Sequence, residues 1–207
     1  MTSVAIHQPN YIPWLAYFRK IAHADFFVFF DNVQMPGGKS YVYRTAINVQ
    51  KKHHWLSVPI SNKSKFLPIN ETHISNNQWI KKHIRTLELS YSYSPWKGLI
   101  QERIAPILEK KYEMISNLNI DLITELLSIL NIGDTTLIRA SDMGLEKTGA
   151  DSIEEILMKL NADIYITGQG SGTSRYMNKD EMNAIGIDVH FVSNNFNKYS
   201  QPRGGFI

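Results

Sequence analysis

A doubly wound, mostly parallel α/β sheet of about five strands with helices on both faces is the fold class the sequence predicts. Three observations predict it. Short β-branched or aromatic runs alternate with helical apolar periodicity at both ends of the chain. Each run stops at a polar or glycine-rich turn. The first two runs enclose one helix within about thirty residues, the spacing of a right-handed βαβ unit.

In chain order, Val4-Ala5-Ile6 is a short strand broken at His7-Gln8-Pro9-Asn10, where Pro9 removes a backbone donor. Leu15, Phe18, Ile21 and Ala22 then recur at helical spacing, with Pro13 suited to a first helical turn. Phe26-Phe27-Val28-Phe29-Phe30 reads as a buried strand ending at Asp31-Asn32. Between 35 and 75 the pattern changes. Gly37-Gly38 makes a turn, Tyr41, Tyr43 and Thr45 alternate with Val42, Arg44 and Ala46, and Trp55-Leu56-Ser57-Val58 and Glu71-Thr72-His73-Ile74 follow. These predict short antiparallel strands inserted into the main fold.

Helices dominate the middle. One spans 77–90 with Trp79, Ile80, Ile84 and Leu87 on a face, and a second spans 95–111. A third carries a broad stripe from Ile115 to Leu130, with Gly133 placed to stop it. The βα rhythm then resumes. Residues 136–140 form a strand ending at Ser141-Asp142. Asp151 and Glu154 have capping-box spacing. Ile164-Tyr165-Ile166 runs into Gly168-Gln169-Gly170-Ser171-Gly172. Asn178 and Glu181 cap a short helix that Gly186 stops, and 187–192 is the last strand. The expected organisation is one α/β domain over 1–207, with a β-rich insertion at 35–75 and a helical segment at 77–131.

Composition narrows the function. At 207 residues and 43% hydrophobic, the chain can bury one core and is not a disordered protein. It has no cysteine, which removes disulfides, thiolate nucleophiles and Cys-ligated zinc together. Lys and Arg number 22 against 19 Asp and Glu, a net charge of +3 too small and scattered to argue for nucleic acid. At most it points to an anionic small ligand. The run Phe26–Phe30 falls far short of the roughly 20 apolar residues a membrane span needs. The amino terminus lacks the segments of a secretory signal, so a cytoplasmic location is expected. A homo-oligomer is left open.

In open α/β sheets ligands gather beyond the carboxyl ends of the strands. The residues there are His7-Gln8-Pro9-Asn10-Tyr11, Asp31 to Gln34, Ser141, the loop from Gly168, and the stretch carrying Tyr199 and Gln201. His7 titrates near neutrality when unperturbed and suits a general base, with Asp31 to orient it. The alternatives are a core histidine and a turn-capping Asp. Gln8 and Asn10 can orient a ligand, though Asn10 equally suits a helix cap. Arg44 suits bidentate capture of a carboxylate or phosphate, or is a solvated strand residue. Gly168, Gly170, Ser171 and Arg175 can present N–H groups, a hydroxyl and a cation to an anion, but the loop has neither Walker nor dinucleotide spacing. Tyr11, Trp14, Gln34, Tyr176, Tyr199 and Gln201 complete the expected binding set. The remaining histidines have no metal-ligand spacing, so no zinc site is assigned.

The segment His7-Gln8-Pro9-Asn10-Tyr11-Ile12-Pro13-Trp14-Leu15-Ala16-Tyr17-Phe18 resembles the WbqC-like family of bacterial proteins. So do Asp31-Asn32-Val33-Gln34, Arg44, Trp55-Leu56-Ser57-Val58-Pro59, Tyr165-Ile166-Thr167-Gly168, Arg175-Tyr176 and Tyr199-Ser200-Gln201. Members tend to run on past this point with a further apolar segment, so the resemblance implies that a site group or a covering element is to be expected from such a tail. The family is associated with clusters for O-antigen and other surface polysaccharides, and glycine transfer to a sugar has been proposed for some members. The resemblance therefore implies a transferase of lipopolysaccharide O-antigen biosynthesis acting on a nucleotide-linked amino sugar. ATP or an activated glycine donor, with magnesium as an option, are the candidate co-reactants. A weaker likeness to nucleotidyltransferases implies an adenylating alternative, although Pro13-Trp14 stand where that group has Gly-His. A non-catalytic sugar-nucleotide binder is the third reading.

Overall fold

The computed structural model describes residues 1–49, 52–168 and 179–193. They cluster as two compact bodies, one of residues 1–9, 13–34 and 127–193, the other of 10–12 and 35–126. The β-rich stretch and the helices after it, separate pieces in the sequence, thus group together.

The first body is the predicted parallel sheet. Its strands are β1 (Ser3–His7), β2 (Phe26–Phe29), β5 (Thr136–Arg139), β6 (Ile164–Gly168) and β7 (Asp188–Val192), in the order β5-β2-β1-β6-β7 with every pairing parallel. From β1 the chain winds outward through β2 to β5, then returns to β6 on the opposite side of β1 and continues to β7. The reversal lies between β1 and β6, which is where doubly wound sheets open a crevice.

Alternation along the strands separates two faces. Val4, Ile6, Val28, Tyr165 and Val189 pack with Ile156 and Leu157 of α5 (Ser152–Lys159) and with Met182 of α6 (Lys179–Ala184). On the opposite face Phe27 stands edge-on to Tyr17 of α1 (Leu15–Ala22), ring centroids 5.4 Å apart, and Phe29 stands 5.2 Å from Phe27.

The second body holds one antiparallel hairpin, β3 (Arg44–Val49) with β4 (Lys52–Ser57). The expected strand at 71–74 is a 3₁₀ turn over Ile69–Glu71 followed by isolated bridges at His73 and Ile74. Helices α2 (Trp79–Tyr91), α3 (Ala105–Glu109) and α4 (Ile115–Ile129) follow. The segment expected to be helical over 95–111 widens into a π-helical turn at Ile100–Ile104 before α3. Pro106, which has no N–H to give Glu102, sits where the ladder changes.

Three end signals differ from expectation. The helix stop after α4 is Asn131, at φ 55, with Ile132 N–H reaching the Leu127 carbonyl at 3.0 Å, and not Gly133. No Asp151 capping box forms. That residue closes a 3₁₀ turn, and the Ser152 hydroxyl bonds the Gly149 carbonyl at 2.7 Å instead. Pro13 precedes α1, and Ile12 before it takes φ 42, a strained value for a β-branched residue.

Candidate functional site

Four of the five strand ends carry described residues of the expected site, all in the first body. Across the sheet they run Ser141 after β5, Asp31 after β2, His7 ending β1, and Gly168 ending β6. The carboxyl termini are level, since His7 pairs with Phe29, Phe29 with Arg139, and Gly168 with Val192. The β1–β6 register runs through Ala5↔Ile166, and continuing it puts His7 beside Gly168. These two flank the reversal of strand order.

His7 is half-buried. Its Nδ1 lies 3.0 Å from the Gln8 carbonyl, which only accepts, so Nδ1 carries the proton and Nε2 a lone pair. The Tyr17 hydroxyl donates to the same carbonyl at 3.1 Å. Tyr17 and Trp14 stand edge-on to the imidazole, at 4.9 and 6.3 Å, and Trp14 is 46% exposed. Burial pulls the His7 pKa down to about 3, the charge of Lys20 adds to the fall, and the Gln8 hydrogen bond opposes it. His7 is therefore neutral throughout the physiological range. A general base poised near pH 7 was expected; the imidazole is instead a lone-pair acceptor of low basicity.

Nor does Asp31 orient it. The carboxylate is fully buried and taken by Ser141, whose N–H donates to Oδ1 and whose hydroxyl donates to Oδ2, both at 3.0 Å. No hydrogen bond joins Asp31 to His7 among the described residues. Burial raises the Asp31 pKa, and the Ser141 hydrogen bonds and Arg139 act against that rise. Asp31 and Ser141 thus clamp the ends of β2 and β5, with Gln8 supplying the orienting oxygen from its backbone.

Gln34 is exposed. Asn10, Tyr11 and Arg44 belong to the second body. Asn10 and Tyr11 are buried at 3% and 1%, and the Tyr11 hydroxyl lies 2.9 Å from His83 Nδ1, so Tyr11 is a core residue there. The Arg44 guanidinium lies 4.0 Å over the Trp55 ring and donates to the Lys39 carbonyl at 3.1 Å. Gly170, Ser171, Arg175, Tyr176, Tyr199 and Gln201 lie outside the described residues, as do Asn178 and the Glu181 side chain.

Sequence reasoning missed Lys20. It lies on the buried face of α1 with Ala16, Tyr17 and Ile21 and is only 7% exposed. Among the described residues it makes no hydrogen bond and no ion pair. Burial lowers its pKa to about 7. The available signal was a charged residue at the i+3 position from Tyr17, inside an otherwise apolar stripe.

The fold and this rim define a doubly wound α/β protein with polar residues at its topological switch point. The chain belongs to the WbqC-like protein family, whose model matches residues 8–207. It is similar, at 32% identity over 209 residues, to the uncharacterized protein Rv1507c of Mycobacterium tuberculosis, with 100% of this chain and 89% of that protein covered. No solved structure matches the chain. No helix among the described residues is long and apolar enough to cross a membrane.

Proposed function

We propose that the chain is a cytoplasmic enzyme of bacterial surface-polysaccharide assembly that transfers an aminoacyl group, such as glycine, to the amine of a nucleotide-linked amino sugar. Membership of the WbqC-like family supports the setting. The observation that carries the chemistry is the unprotonated Nε2 of His7 at the switch point, its tautomer fixed by the Gln8 carbonyl.

Amide formation joins the sugar nitrogen to the acyl carbon and breaks the bond from that carbon to the donor's leaving group. The nitrogen becomes cationic as it attacks, and one of its protons must leave. An imidazole of low basicity does not trap a proton beforehand. In its neutral form it accepts a hydrogen bond from the attacking amine and orients it toward the acyl carbon, and the proton that the nitrogen sheds goes to the leaving group. Exposed Trp14 offers a surface against which a ring-shaped group can lie.

The test is incubation of the pure protein with candidate nucleotide-linked amino sugars and activated glycine, read by mass spectrometry. His7→Ala should lower turnover about 100-fold or more, while the protein stays folded. Unchanged turnover in the folded variant removes His7 from the reaction. A second reading, transfer or activation through ATP, is favoured by the strand order, which matches nucleotide-binding sheets. ATP-dependent pyrophosphate exchange would select it.

A further inference from the structure

A charged side chain inside a protein is stable only when an opposite charge or several hydrogen bonds accompany it. Lys20 has neither among the described residues, yet it is buried on the face of α1 that packs against the sheet. Side chains on a helix lean toward its N-terminus. α1 joins the parallel strands β1 and β2, so it runs back along the sheet and its side chains lean toward the strand ends that carry His7. The influence of the Lys20 charge on the His7 imidazole agrees with that direction.

We propose that Lys20 is the buried anchor for an anionic oxygen group of the ligand, a carboxylate or a phosphate, bound beside the neutral His7. The two side chains are chemically complementary. Lys20 supplies a cation with three donors, and His7 supplies one acceptor. Together they select a group that presents an anionic oxygen next to a proton donor. An α-amino acid does this through its carboxylate and ammonium, and a phosphate monoanion does it through its oxygens and its hydroxyl. The inference rests on the strand-end rim as the ligand site and not on the reaction proposed there.

The same complementarity accounts for the lysine having no carboxylate partner among the described residues. A resident Asp or Glu would neutralise it and compete with an anionic ligand. Asp31, the fully buried carboxylate of this rim, is taken up by Ser141.

The experiment uses the full chain as wild type, Lys20→Met and, as a surface control, Lys110→Met, whose ammonium is exposed and pairs with Asp121. The probes are inorganic phosphate, pyrophosphate and glycine at constant ionic strength, read by thermal melting and by calorimetric Kd. The free Lys20→Met protein should melt at or above the wild type, because a buried charge with no partner among the described residues has been replaced by an apolar chain of similar length. Its affinity for the binding probe should fall about 10- to 100-fold, with Lys110→Met unchanged. Binding of glycine alone identifies the carboxylate as the anchored group, and binding of the phosphates alone identifies the phosphate.

The proposal is overturned if Lys20→Met binds the probes as the wild type does, if it melts well below the wild type, or if no probe binds the wild type. The readout is binding, so failure to observe glycyl transfer would reject the reaction and leave the anchor standing.

Discussion

Each body of the molecule contains a histidine set between a tyrosine and a tryptophan, and the two clusters behave differently. In the second body His83 stands 4.8 Å from the Trp79 ring and 5.8 Å from the Tyr11 ring. Its Nδ1 faces the Tyr11 hydroxyl, and it has a hydrogen bond with the Ser57 backbone. His83, Tyr11 and Trp79 are all buried. In the first body His7 has similar ring neighbours, but its tyrosine spends its hydroxyl on the Gln8 carbonyl, leaving Nε2 with a lone pair, and its tryptophan is exposed. Burial lowers both pKa values, to about 4 for His83 and about 3 for His7. A depressed pKa therefore does not mark the site. What sets His7 apart is a ring nitrogen at a strand end with no hydrogen-bond partner among the described residues.

The sharpest way to break this contrast is truncation. His83→Ala should cost about 3 kcal/mol in urea unfolding, from lost packing and a buried Tyr11 hydroxyl left unpaired. His7→Ala should cost only about 1 kcal/mol, its large effect falling on turnover. Comparable losses of stability in the two variants would make His7 a core residue as well.

Hydroxyl removal is the next step down. Tyr11→Phe strands His83 Nδ1 in the interior and should cost about 1–3 kcal/mol, whereas Tyr17→Phe should cost about 0.5–1.5 kcal/mol. In the second case His7 still satisfies the Gln8 carbonyl. A reversed order would show that the Tyr17 hydroxyl, and not Tyr11, is the structural one.

A third contrast lies in the pH dependence. The Lys20 pKa falls from 10.5 to about 7 on folding, so between those values the unfolded chain holds more protons and stability rises with pH. His7 and His83, lowered from 6.5, add a separate rise from about pH 3–4 up to 6.5. Urea unfolding across pH should show both stages. Lys20→Met should flatten the one between about pH 7 and 10 and leave the acid stage in place.

Much of the architecture was legible because it rests on period and punctuation. Alternation and strand length placed β1, β2, β5, β6 and β7, and the polar residue closing each run put His7, Asp31, Ser141 and Gly168 at strand ends. What stayed hidden was set by partners distant in sequence. Asp31 meets Ser141 across 110 residues, so its role as a clamp could not be read from its neighbours. The acceptor that orients His7 is a backbone carbonyl, which carries no residue signature. Tyr11 lies four residues from His7 yet belongs to the other body, because Asn10–Ile12 leaves the sheet and is held by bonds from Tyr11 N–H to the Tyr41 carbonyl and from the Thr45 hydroxyl to the Ile12 carbonyl. Helix ends were equally deceptive. Gly133 was the obvious stop, but Asn131 tolerates the left-handed conformation and comes first.

The pairing of β1 with β6 joins residues about 160 positions apart, with Asp163 N–H reaching the Thr2 carbonyl at 2.9 Å. During synthesis the first strand therefore leaves the ribosome long before its second neighbour exists, and one of its edges stays open until most of the chain has been translated. Closure over so long a loop makes assembly slow compared with a helical bundle of equal size. A chain cut short before Ile164 would keep its hydrophobic opening strand and lose that protecting edge, so aggregation is the expected fate of such a fragment.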